Sequence, residues 1–207
     1  MGLSLSGIPY EIWVMPGIIF IIPSLCLFPL LYRDFFDLRI HLKVLVNVSL
    51  APYSKLAIIG GYLFVAGIEA TILGIISLFV ISGFIAFPLS ILQTVVMFLC
   101  LISYLFLLGN FFISMSLLID TITTLFLMTA LSFVYILFGN GFIIEFGFFP
   151  LGVESFLKWQ PLSIPFQIFQ QYKYTGIFDW ALFSGSVLIG TLWTFANSSL
   201  LKRTFQH

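Results

Sequence analysis

The sequence predicts an all-α polytopic membrane protein with about five transmembrane helices and a broken external re-entrant segment. Three observations predict it. Charged residues make up only 8 % of the 207 residues and hydrophobic ones 61 %. Mean hydropathy is +1.18. Apolar runs recur, each near or above the roughly 20 residues that cross a bilayer as a helix. Residues 1–207 therefore read as one transmembrane domain.

The first span is "IWVMPGIIFIIPSLCLFPLLY" (12–32), interrupted by Pro16, Pro23 and Pro29. Each proline removes a backbone donor, so bends are expected, with neighbours meeting the freed carbonyls. A second span runs from near Leu56 to Phe87, too long for one untilted crossing. From Pro88 to Phe138 there is a single charge, Asp120, and length for two helices back to back. Their turn is expected either at Gly109 and Asn110 or around Asp120. The last span, "WALFSGSVLIGTLWTFANSSL" (180–200), leads to Lys202 and Arg203.

Five crossings put the termini on opposite sides and the connector 33–55 on the side of the C-terminus. That side carries Arg33, Arg39, Lys43, Lys55, Lys202 and Arg203, against Lys158 and Lys173 on the other. The excess of cations predicts a cytoplasmic connector and C-terminus and an external N-terminus. Read as a helix, Arg33, Asp37 and His41 share a face. "LRIHLKV" (38–44) instead alternates with period two, a strand signal. A short interfacial helix after residue 32 is expected, and pattern alone leaves the connector either an ordinary charged loop or a docking element.

Glu69 lies inside the second span, within "VAGIEATILG". An ionisable group there is expensive and is expected to face the bundle interior, a polar cavity or a partner chain, or to be protonated. Hydrogen bonding to a neighbouring helix is an equally good structural account. Gly60, Gly61, Gly67, Ala70 and Gly74 on the same span permit close helix approach.

Residues 139–177 form the most informative external region. "FGNGFIIEFGFFPLG" (138–152) is apolar but broken by glycines and Pro150. A segment of this kind enters the membrane partway and returns, provided protein covers its broken backbone. "ESFLKWQPLSIPFQIFQQYKYTG" (154–176) then reads as an external amphipathic helix or helix pair closed by Gly176, with Trp159, Tyr172 and Tyr174 at headgroup level.

Chemistry in the chain itself is not expected. Two histidines and two separated cysteines, Cys26 and Cys100, supply no metal or redox motif, and no phosphate-binding glycine loop is present. No cofactor is assigned to the chain. Zero net charge argues against nucleic acid as a partner.

The order of elements resembles the transmembrane permease of the second class of ABC exporters. The resemblance is carried by "IPYEIWVMPG" (8–17), "LYRDFFDL" (31–38), "LAPYSKLAIIGG" (50–61) and "FGFFPLGVESFLKWQPLSIPFQIFQQYKYTG" (146–176). It implies a membrane pathway formed with a second permease subunit, identical or related. Separate cytoplasmic nucleotide-binding ATPase subunits would carry ATP and Mg. Arg33, Asp34, Asp37, Arg39 and Lys43 would contact the ATPase, and charge reversal at Arg33 or Arg39 would uncouple it without unfolding the bundle. Pro150, Trp159, Pro161 and Pro165 would belong to an external gate or interface. The family's usual first helix has no counterpart here. The cell's inner (cytoplasmic) membrane is the expected location. The rival reading is a noncatalytic structural subunit of a respiratory, photosynthetic or oxygenase complex.

Overall fold

A computed structural model describes residues 10–50, 52–84 and 89–204. Among these the chain is helical and contains no strand. The helices are α1 (Tyr10–Leu31), α2 (Leu38–Ile40), α3 (Leu45–Leu50), α4 (Lys55–Phe84) and α5 (Ile91–Leu118). After them come α6 (Ile122–Gly139), α7 (Leu151–Trp159), α8 (Ile164–Thr175) and α9 (Trp180–Thr204).

Among the described residues, four segments are long and apolar enough to cross a membrane: Trp13–Ile40, Lys55–Gly83, Ile91–Leu118 and Ile122–Gly139. The fifth expected span, α9, is long enough at 25 residues but more polar. Its Ser186, Thr194 and Asn197 are buried, and two of them bond to α5. Hydropathy counts such residues as if they faced lipid. They face another helix.

α1 runs unbroken through its three prolines. It continues as a π-helical turn, Tyr32–Asp37, and then as α2, so the connector begins as an extension of the first span. The short helix expected after residue 32 is present, formed as a continuation of α1. Lys43, at φ 52, lies between α2 and α3, and the Val44 amide donates back to the Leu38 carbonyl at 2.9 Å. The period-two pattern of 38–44 is spent on this turn: with no neighbouring edge to pair with, alternation alone does not make a strand. The expected end of the second span at Phe87 lies outside the described residues.

Helix α5 is the axis of the bundle. α1, α4, α8 and α9 all pack on it. Ser90 caps its start in a reciprocal pair with Gln93, each side chain bonding the other's backbone amide at 3.0 to 3.2 Å. The helix passes through Gly109 and Asn110, both buried, and turns only at 119–121. Asp120 therefore marks the turn. Gly109 instead admits Leu63 of α4, whose Cδ2 would lie 2.6 Å from any added Cβ.

The contacts order the chain in height. Pro23 of α1 packs beside Gly74 of α4, and Phe35 beside Tyr62. Trp13, near the start of α1, stacks on Tyr174 at the end of α8. The connector and the α5–α6 turn thus share one end of the bundle, while residues 140–179 cover the other.

Candidate functional site

The two ends carry different apparatus. At the connector end, Phe35 and Phe36 are fully buried and anchor the π-turn against the bundle. The polar residues of the same turn are thereby directed away from the core. Arg33 pairs with Asp34 at 2.8 Å and is 65 % exposed, and His41 meets Asp37 at 2.8 Å. Lys43 is exposed. A groove of about 470 Å³ runs beside them, lined by Arg33, Asp34, Tyr53, Gly61, Tyr62 and Val65.

Arg39 behaves differently from its neighbours. Its side chain is only 7 % exposed. The guanidinium donates to the Leu117 carbonyl at 2.6 Å and to the Ile119 carbonyl, and lies 3.2 Å from Asp120. A cation on the last carbonyls of a helix complements its dipole and satisfies acceptors that the helix leaves open. Arg39 thus clamps the connector onto the end of α5. Its charge is turned inward, so reversing it would break this clamp; the expectation that such a change spares the fold applies to Arg33 and not to Arg39.

Glu69 is exposed on α4, outside the bundle core. It continues the stripe of Gly61 and Val65 at four-residue steps, both also exposed. It stands about 21 Å along the helix from Lys55 at 1.5 Å per residue. The bundle interior, one of its expected environments, is excluded by this placement. A second crevice, of about 420 Å³, lies between α4 and α5 and is lined by Gly60, Leu63, Gly67, Thr71, Ile102 and Phe106 among others.

At the opposite end the chain folds inward. α7 and α8 form a hairpin whose turn, 160–163, is buried at Gln160, Leu162 and Ser163. Gln160 donates to the Gly139 carbonyl at 2.6 Å and to Asn140 at 2.9 Å, and accepts from the Tyr135 hydroxyl. Ser163 closes the turn by donating to the Leu157 carbonyl at 2.8 Å. The Gln160 bonds tie the hairpin's inner end to the end of α6.

Its depth follows from the aromatic contacts. Phe166 lies 5.2 Å from Phe20 and 4.9 Å from Phe142, and Phe142 lies 5.4 Å from Tyr104. Phe20 and Tyr104 sit at the midpoints of α1 and α5. The hairpin therefore reaches half the height of the bundle, and Ser24, bonded to the Tyr104 hydroxyl at 3.0 Å, floors it. Gly17 is required on this path: an added Cβ would come within 2.2 Å of the Phe142 carbonyl oxygen, a backbone atom.

The sequence-selected gate residues occupy this hairpin. Pro150 precedes α7, Pro161 lies in the turn, and Pro165 is buried in the first turn of α8, where a missing amide is harmless. Trp159, expected at headgroup level, instead lies at the inner end of α7 with 75 % of its surface facing outward. Tyr174, by contrast, is at the outer end, and burial together with Glu145 pushes its hydroxyl up to about 12. Beside it, burial pulls the Lys173 ammonium down to about 8, with the charge over the Tyr174 ring at 5.5 Å.

Sequence reasoning missed Gln170 and Trp13. Gln170 is 6 % exposed on α8, and neither its amide nitrogen nor its amide oxygen has a hydrogen-bond partner; the buried Trp13 Nε1 has none either. Only the helical register of "PFQIFQQYKY" could have flagged Gln170, by placing it on the Phe166–Tyr174 face. No protein-family model, curated protein or solved structure matches the chain.

Proposed function

We propose that this chain is the membrane-pathway subunit of an ATP-driven exporter, working with a second permease subunit and with separate cytoplasmic ATPase subunits. The observation that carries the reading is the connector foot. It is a folded element, anchored by Phe35, Phe36 and Arg39, that holds Arg33 and Lys43 outward at one end of the bundle. A partner pressing on Arg33 would move α1 directly, because the turn is its continuation, and α5 and α6 through Arg39.

In this reading the foot faces the cytoplasm, as the cation excess favours, and the α7–α8 hairpin lies outside as the gate. Apolar, lipid-facing crevices suit a hydrophobic or lipid-linked substrate. The protein should be purified in mild detergent from its native membrane and its partners identified by mass spectrometry. A stoichiometric ATP-binding subunit, lost in Arg33→Glu but retained in Arg33→Lys, is the expected result. A stable complex that contains no ATPase would sink the reading.

One observation favours a second reading, that of a noncatalytic subunit in a larger membrane assembly. Glu69 faces outward from a span where an uncovered carboxyl costs about 2.5–3.5 kcal/mol on insertion scales. A helix of a neighbouring chain would cover it. Co-purified redox or pigment-bearing chains would identify that assembly.

A further inference from the structure

The α1–α8 contact is built like a zipper with one tooth unmatched. On α1, Trp13, Gly17 and Phe20 fall on one face; on α8, so do Phe166, Gln170 and Tyr174. Tyr174 stacks on Trp13 with ring centroids 6.2 Å apart, and Phe166 meets Phe20 at 5.2 Å. Gln170, midway between Phe166 and Tyr174, is thereby brought to the level of Gly17.

The rings meet at both ends of this seam, but polar groups are left bare at its centre, on Gln170, and at its outer end, on the Trp13 indole. The amide of Gln170 brings two donor hydrogens and an acceptor oxygen, and the Trp13 indole brings another donor. None has a hydrogen-bond partner, and the atoms are sealed from solvent, so the closed packing leaves water no access to them. Sealing an amide without partners is costly, and the cost disappears once water reaches it. Closure of this seam is thus penalised in a way that opening relieves.

α8 packs on α5 and α9 and meets α1 through ring contacts, so the α1 side is the one that can part. Gln160 holds the turn to the end of α6 by hydrogen bonds, whereas the outer part of α8 meets α1 through stacked rings. A leucine or methionine at 170 would fill the same space at no polar cost. The chain places an amide there instead.

We propose that the α1–α8 seam is a moving joint that opens to water, with Gln170 and Trp13 as the groups that water enters to meet. The proposal locates the gate of the preceding reading in one seam, yet its test needs no ATPase: opening is a thermal fluctuation of this chain, set by local rather than global stability. Failure to find an ATPase partner would leave it standing. Failure of the test below would leave the exporter reading without this gate.

The test uses the full chain in native membranes, with Cys26 and Cys100 replaced by alanine. Single cysteines at Gln170→Cys and Ala70→Cys, two buried positions at 6 % and 0 % exposure, are treated with a membrane-impermeant maleimide applied to both sides. Labelling at 170 at least tenfold faster than at 70 is expected. Equal rates would overturn the proposal. Because cysteine itself alters the seam, Gln170→Met is measured separately in detergent; Tm is expected to rise by about 3 °C. A fall in Tm would mean that the amide is partnered in the closed state, and would overturn the proposal equally.

Discussion

The α5–α9 seam and the α1–α8 seam bury polar side chains at similar depth and treat them in opposite ways. Between α5 and α9, Ser103 bonds Ser186 at 2.9 Å, Asn110 bonds the Gly190 carbonyl at 3.3 Å, and Asn197 donates to Asn110 at two sites, 2.9 and 3.1 Å away. Ser114 completes the ladder, donating to Asn197 at 2.6 Å and accepting from the Trp193 indole at 2.8 Å. Between α1 and α8 the corresponding indole and amide are left bare. Polar side chains fix one helix pair in register when matched and loosen another when not.

The sharpest way to break this contrast is to damage the matched seam. Asn197→Leu strands the Asn110 amide oxygen, at about 1–3 kcal/mol, and takes one partner from Ser114. It should give the largest loss of stability in this set, seen as a fall in Tm and a loss of monodisperse protein on size exclusion. Gly17→Ala tests the other seam from the opposite direction by forcing the Phe142 backbone away. Overpacking of this kind costs about 1–3 kcal/mol, and the variant should detach the hairpin, so that deuterium uptake rises across α8 while α9 keeps its protection.

A change at the foot should fall between the two seams in its reach. Arg39→Met removes charge-assisted bonds to Leu117 and Ile119, worth about 1.5–3 kcal/mol together with the exposed Asp120 pairing discounted. Exchange should quicken at residues 117–121 first, and Arg33→Met, whose side chain is largely exposed, should leave Tm unchanged. Equal effects from the two arginines would contradict the clamp.

The smallest expected effect is one of pH. The Lys173 ammonium is lowered from 10.5 to about 8 by burial, so the docked state binds fewer protons than the undocked one between those values. Stability of the docked α8 should therefore rise with pH across that window, and below pH 8 the docked state bears the full cost of the buried charge. Melting curves at pH 7.5 and pH 10 should differ more in the wild type than in Lys173→Met. Parallel shifts in both proteins would show that the ammonium is already solvated when α8 is docked.

The helical class and four of the spans were legible because lipid demands long uninterrupted apolar runs, which composition and length reveal directly. The α5–α6 turn at Asp120 was legible as one of two options; Gly109 and Asn110 misdirect because glycine and asparagine mark turns and also helix contacts, and only the presence of Leu63 and Gly190 opposite them decides. Glycines and Pro150 pointed to an inward-folding segment, and its depth came from Phe20 and Tyr104, residues far away in sequence. Arg39 looked like Arg33 in the sequence. Which of two cations six residues apart turns inward depends on the π-turn between them, and one-dimensional pattern carries no signal for it.

The unequal lengths of the lipid-facing helices have a consequence for the membrane itself. α4 has 30 residues and α6 has 18, or about 45 Å and 27 Å of helix. Both present mainly apolar side chains outward, from Phe64 to Phe79 on one and from Phe126 to Phe138 on the other. A bilayer of uniform thickness cannot match both. Lipids must extend or α4 must tilt on one flank, while on the other they are drawn thin against α6. The protein therefore meets a hydrophobic mismatch that differs from one side to the other.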